Sequence, residues 1–208
     1  METATGSGEG IQEDIQRALR AAREEFGGFK VVRKRSSAFM WFLYGISGMW
    51  VWNRKFMTHY VTTISGTIYT PWGLGEHAVS DLALISHETQ HERDARQIGP
   101  LWYPAYLFPQ CLALLALGAL GAFWTPWAWL SLIALLALGP WPAPFRVWAE
   151  LRGYDESLRI LLRHRAINER VAKDWLHGVF CGWGYFRMAW RWQPIHDHIT
   201  QLCSRFQR

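Results

Sequence analysis

The stretch Val79-Ser-Asp81-Leu-Ala-Leu-Ile-Ser-His87-Glu88-Thr89-Gln90-His91-Glu-Arg-Asp94-Ala-Arg-Gln-Ile98 reads as one helix. Ser80 or Asp81 can cap its start, and Gly99-Pro100 supplies the stop, since glycine closes a helix and proline cannot continue one. His87 and His91 then stand one turn apart on one face, as two imidazole ligands of a single Zn2+ require. Glu88 lies about 100° round the helix, beside the metal position without being forced onto it. A carboxylate there can take a proton from metal-activated water and return it to a leaving amine. Zinc lowers the pKa of such a water towards about 7, which makes a nucleophile at neutral pH. The bland alternative is a pair of surface histidines on an amphipathic helix.

A catalytic zinc needs a third protein ligand from outside this helix and one open position. The spacing of the metzincin class would place glycine at 94 and histidine at 97, where this chain has Asp94 and Gln97, so that class is excluded. Among downstream carboxylates, Asp155, Glu156, Glu169, Asp174 and Asp197 compete with Glu150. Glu150 is preferred because it opens an amphipathic helix, Trp148-Ala-Glu150-Leu-Arg-Gly-Tyr154-Asp155-Glu156, that follows an apolar hairpin and returns the chain to the histidines. Tyr154 shares the helix face of Glu150 and is the candidate for oxyanion stabilisation. Asp94, one turn beyond His91, either holds a ligand imidazole in its tautomer or pairs with an arginine on the helix surface.

Upstream, Tyr60 to Thr70 is rich in β-branched and aromatic residues and ends at Pro71-Trp72-Gly73, which predicts a strand with a bulge or hairpin-like kink at Gly66. Residues 1–10 read as a disordered tail, and Ile11 to Phe26 as an amphipathic helix followed by the basic cluster Lys30 to Arg35. Ala38 to Trp52 carries no charge but falls short of the roughly 20 residues that span a bilayer, so it reads as a buried or interfacial helix. From Tyr103 to Gly139 there is again no formal charge, and Trp124-Thr125-Pro126-Trp127 divides the run into a helical hairpin. Such a hairpin crosses most or all of a bilayer, or else lies buried in a soluble core. A last helix is predicted from Val171 to Trp192.

Composition is compatible with both settings. Of 208 residues, 50% are hydrophobic and 14 are tryptophan, yet the mean hydropathy is only −0.07; an apolar region and a low mean coexist because the apolar residues are concentrated in one part of a chain otherwise polar. The net charge of +5 comes from basic residues flanking apolar segments, where anionic lipid accounts for them without a nucleic-acid motif. Three cysteines without short spacing indicate neither a CxxC zinc site nor a disulfide framework. Basic clusters on both sides of the hairpin place both flanks, and the metal centre, on the cytoplasmic side of a membrane.

The run from His87 through Gly99-Pro-Leu-Trp-Tyr103 resembles bacterial and phage metallopeptidases of the pattern HExxH…Q/R…GPLY…P, and Ala149-Glu150-Leu-Arg-Gly-Tyr154 resembles their ExEAY helix. In broader outline, residues 56–160 are similar to the membrane gluzincins, where an apolar hairpin separates HExxH from the ligand glutamate. Those enzymes usually carry aspartate four residues after that glutamate, where this chain has Tyr154; Asp155 is the nearest substitute. The resemblance implies zinc as cofactor, endopeptidase chemistry on a peptide or protein substrate, and a place in a bacterial inner membrane or in a phage-encoded protein. The alternative is a non-hydrolytic membrane or assembly protein with a structural metal site. The fold expected is α+β, predominantly α: a minimal zincin-like core of β-strand, HExxH helix and Glu helix with an apolar helical hairpin at 103–139, as one domain over 11–208.

Overall fold

The β-branched segments either side of Ser65-Gly66 form an antiparallel pair, β2 (Thr62–Ile64) and β3 (Thr67–Thr70), with Thr62 opposite Tyr69 and Ile64 opposite Thr67. Both turn residues have positive φ, 48° at Ser65 and 73° at Gly66, the twist a two-residue turn between right-twisted strands needs. The kink expected at Gly66 is therefore a tight hairpin. A third strand, β1 (Lys30–Arg33), pairs parallel to β3, giving the order β1-β3-β2. In sequence β1 is only the start of a basic cluster: Val31 and Val32 are adjacent, so no alternation marks it as a strand.

A computed structural model of the chain describes residues 6–46, 55–139, 141–183 and 187–206. The chain is mostly helical with this one small sheet, the α+β, predominantly α class expected. It divides into two compact units, residues 1–92 with 156–164 and residues 93–155 with 165–208.

In the first unit α1 (Gly6–Phe26) begins five residues before the predicted helix, so residues 6–10 belong to it and not to a tail; residues 1–5 lie outside the described residues. Its apolar stripe, Ile15, Leu19, Ala22 and Phe26, is buried against Phe29, Ile68 of β3, and Leu82 and Ile85. Burying each of the larger side chains is worth about 1.5–3 kcal/mol, so this stripe anchors the helix that carries Leu82 and Ile85. That helix is α3 (Ala78–Ile98). Between them α2 (Ala38–Ile46) packs Met40 with Phe56 and Met57; residues 47–52 of the predicted aromatic helix lie outside the described residues.

The second unit holds α4 (Trp102–Leu107), two apolar arms at Gln110–Phe123 and Pro126–Leu138 wound as 3-10 helices, α6 (Glu169–Cys181) and α7 (Gln193–Phe206). α5 (Pro144–Arg163) lies between the arms and α6 in sequence and contributes to both units. The arms pack against each other as the predicted hairpin, with small residues in the seam: a Cβ on Gly118 would stand 3.2 Å from that of Ser131. The helix expected over Val171–Trp192 stops at Cys181. Asn168 caps its start by accepting from the Val171 amide, and Gly182 follows its end. Beyond that segment lies α7, whose buried Ile195, Ile199 and Leu202 recur at helical spacing.

Among the described residues no single helix is long and apolar enough to cross a membrane; Ala78–Leu107 and Gln110–Gly121, bent by 71°, meet the length and composition only as a pair.

Candidate metal centre

The start of α3 is organised by Asp81, which is fully buried. Its carboxylate accepts from the backbone amides of Gly75 (2.6 Å) and His77 (3.3 Å) and from the Trp72 indole (2.8 Å). Asp81 thus ties the loop after β3 to the first helical turn, so the strand fixes where α3 begins. At the other end Gly99 has φ 75°, the left-handed conformation that closes a helix, and Pro100 follows. Between these ends His87 and His91 face each other. Their rings are nearly perpendicular, with Nε2 atoms 3.0 Å apart.

Two nitrogens bound at 2.0–2.1 Å to a tetrahedral ion stand about 3.4 Å apart, so this separation is close to what one zinc requires. One imidazole donating to the other gives the same contact in the absence of metal. Glu150 supplies a third donor: the ligand atoms of His87, His91 and Glu150 all lie within 4.8 Å of one another. Two imidazole nitrogens and a carboxylate oxygen form a donor set suited to a divalent metal ion, and the group is largely buried, with His87 7% and Glu150 6% exposed.

Two contacts pin α5 to α3. The Ser157 hydroxyl donates to the Ala83 carbonyl at 3.1 Å. Arg152 clasps Asp94 through Nε and Nη2, with N–O distances of 2.9 Å. Ala83 of α3 thus stands beside Ser157 of α5, and Asp94 of α3 beside Arg152 of α5. Asp94 is therefore held by an arginine, though with a carboxylate only 1% exposed it is no ordinary surface pair.

Glu88 is 9% exposed and follows His87 directly. The Tyr154 ring packs edge-on against Trp175 and Phe180. Asp155 accepts from or shares a proton with His198 Nε2 at 2.7 Å, which gives that α7 histidine a partner the sequence did not indicate. Of the predicted residues, then, the structure gathers His87, His91 and Glu150. It holds Asp94 and Asp155 in pairs with Arg152 and His198. No known protein family, curated protein or solved structure matches this chain.

Several residues of the centre escape sequence reading. Tyr106 donates its hydroxyl to Glu150 Oε1 across 44 positions, and Arg152 and Ser157 act on partners still further away. No local periodicity encodes such partners.

Proposed function

We propose that this chain is a zinc-dependent endopeptidase with a minimal zincin-like core, associated with a membrane through its apolar hairpin. The observation that carries the reading is the convergence of Glu150 on the i, i+4 histidines of α3. A bound Zn2+ would supply Lewis-acid activation of water and polarisation of a peptide carbonyl. Glu88 would hold the proton taken from that water and pass it to the leaving nitrogen, the task an amide in its place cannot perform. Among the described residues the group offers three protein ligands, which favours a catalytic centre with an open position over a closed, four-ligand structural one. Tyr154, packed on two aromatic rings, is the proposed oxyanion donor, and Y154F with unchanged kcat would remove it from the mechanism.

The hairpin supports the membrane side of the proposal. Phe123, Trp124 and Trp127 at its tip are 92%, 85% and 75% exposed, and Leu114, Leu117, Leu120, Ile133 and Leu136 on its arms are exposed as well. Apolar surface of this extent is the kind buried in lipid or against a partner.

The test combines metal and activity. Purified protein should contain about one zinc per chain, lost in H87A and H91A and weakened in E150A. E88Q should retain the zinc and lose at least a hundredfold of its cleavage rate on an unfolded polypeptide. Unchanged metal content in both histidine variants, or wild-type cleavage by E88Q, overturns the proposal; zinc retained by wild type without any open coordination position would reassign the centre as structural.

A further inference from the structure

We infer that Tyr106 is a positioning residue for the Glu150 carboxylate, fastening it to the foot of the apolar hairpin; this rests on the metal-centre reading above. The Tyr106 hydroxyl donates to Glu150 Oε1. A phenol on one carboxylate oxygen fixes the plane of the group, so the ligand meets a metal in one orientation rather than rotating about its last bond. Hydrogen bonds of this kind to a charged acceptor are about twice as strong as neutral ones.

Tyr106 is itself held from three sides. Its ring stacks on Trp102, with centroids 5.8 Å apart and planes 27° from parallel, and Trp102 is 5% exposed. The Arg146 guanidinium lies 5.2 Å from the centroid of the same ring. Arg146 Nε donates to the Tyr106 carbonyl at 3.0 Å, and its Nη2 donates to Gln110 Oε1 at 3.0 Å. Gln110 is the first residue of the first arm. Arg146 and Glu150 are four apart on α5, hence on one face. One helix face therefore grips Tyr106 twice, by the backbone through Arg146 and by the hydroxyl through Glu150. The same arginine ties in the start of the hairpin.

A ring needed only for packing would be replaced by phenylalanine without effect on the metal. A hydroxyl that orients a ligand is different: losses around a metal ligand typically cost 10–100-fold in affinity. Y106F in the full-length protein, which keeps the contacts to Trp102 and Arg146, should bind zinc 10–100-fold more weakly in competition with a chelator. Its cobalt-substituted form should show a shifted visible spectrum. In an E150A background the same substitution should change zinc affinity less than twofold, because the hydroxyl then has no ligand to orient. Wild-type affinity and spectrum in Y106F, or an equal loss in both backgrounds, overturns the inference while the metal centre stands. H87A and H91A binding zinc like wild type would instead overturn the centre itself. Should Y106F fail to fold, R146Q tests the same arrangement: it loosens the backbone strap, and an unchanged zinc affinity there would count against it.

Discussion

Asp94 places a carboxylate that is 1% exposed one turn beyond His91, against a half-exposed guanidinium on α5. Removing one partner of a buried pair strands the other charge, at a cost of about 3–5 kcal/mol when both are buried. Arg152 is 44% exposed on its side chain, so solvent screens part of that cost. R152M, which keeps a stem over the Trp148 ring, should destabilise the protein by about 2 kcal/mol in denaturant titration. On the proposed metal-centre reading it should also weaken zinc binding, since Asp94 follows His91 by three residues and Arg152 follows Glu150 by two. A midpoint indistinguishable from wild type would mean that the pair contributes nothing net. At this scale the sequence made the paired histidines legible because their spacing is local. Tyr106 and Arg152 were not legible, because what they touch is chosen by how helices pack.

The hairpin is the element whose surroundings matter most. Its seam is closed by Gly118, Gly121, Ala128 and Ser131, small residues that let the arms approach, and the Ser131 hydroxyl donates across it to the Ala116 carbonyl at 3.3 Å. The large residues face outward. Wild-type protein should float with phospholipid vesicles in a density gradient. A variant with Phe123, Trp124 and Trp127 all changed to serine should lose at least tenfold of that partitioning, since each buried ring is worth about 1.5–3 kcal/mol. Equal flotation of the two would move the contact away from the tip. Element boundaries followed the sequence where a residue with a single meaning stood at the border, as Gly99-Pro100 does for α3. They departed from it at β1, whose two adjacent valines carry no strand period, and at the helix predicted to Trp192, which stops at Cys181.

For the whole molecule, Lys34 sets a dependence on pH. It is fully buried, its Nζ donates to the Phe56 carbonyl at 2.9 Å and lies 3.8 Å from the centroid of that ring, and burial pushes its ammonium down from 10.5 to about 8. The folded chain therefore releases this proton before the unfolded chain does. Between about pH 8 and 10.5 the unfolded state binds more protons, so stability rises with pH through that window, by about 3 kcal/mol in total. Below pH 8 the cost of burying the charge is fully present. K34M should remove the rise, measured as the difference between wild-type and variant unfolding midpoints at pH 7.5 and 10; parallel midpoints at both values would show that Lys34 does not carry it. The sequence by itself determined the helical dominance of the fold, the apolar hairpin with its turn, and the paired histidines with Glu88 between them. Each of these is written in residues a few positions apart, where backbone geometry alone sets the spacing. Only the tertiary structure decided that Glu150, rather than any of five other carboxylates, comes to the histidines. It also decided that Tyr106 donates to Glu150, that Arg146 holds Tyr106, and that Asp155 pairs with His198. Those contacts join residues tens of positions apart, and their partners are selected by the packing of apolar faces, which local spacing does not encode.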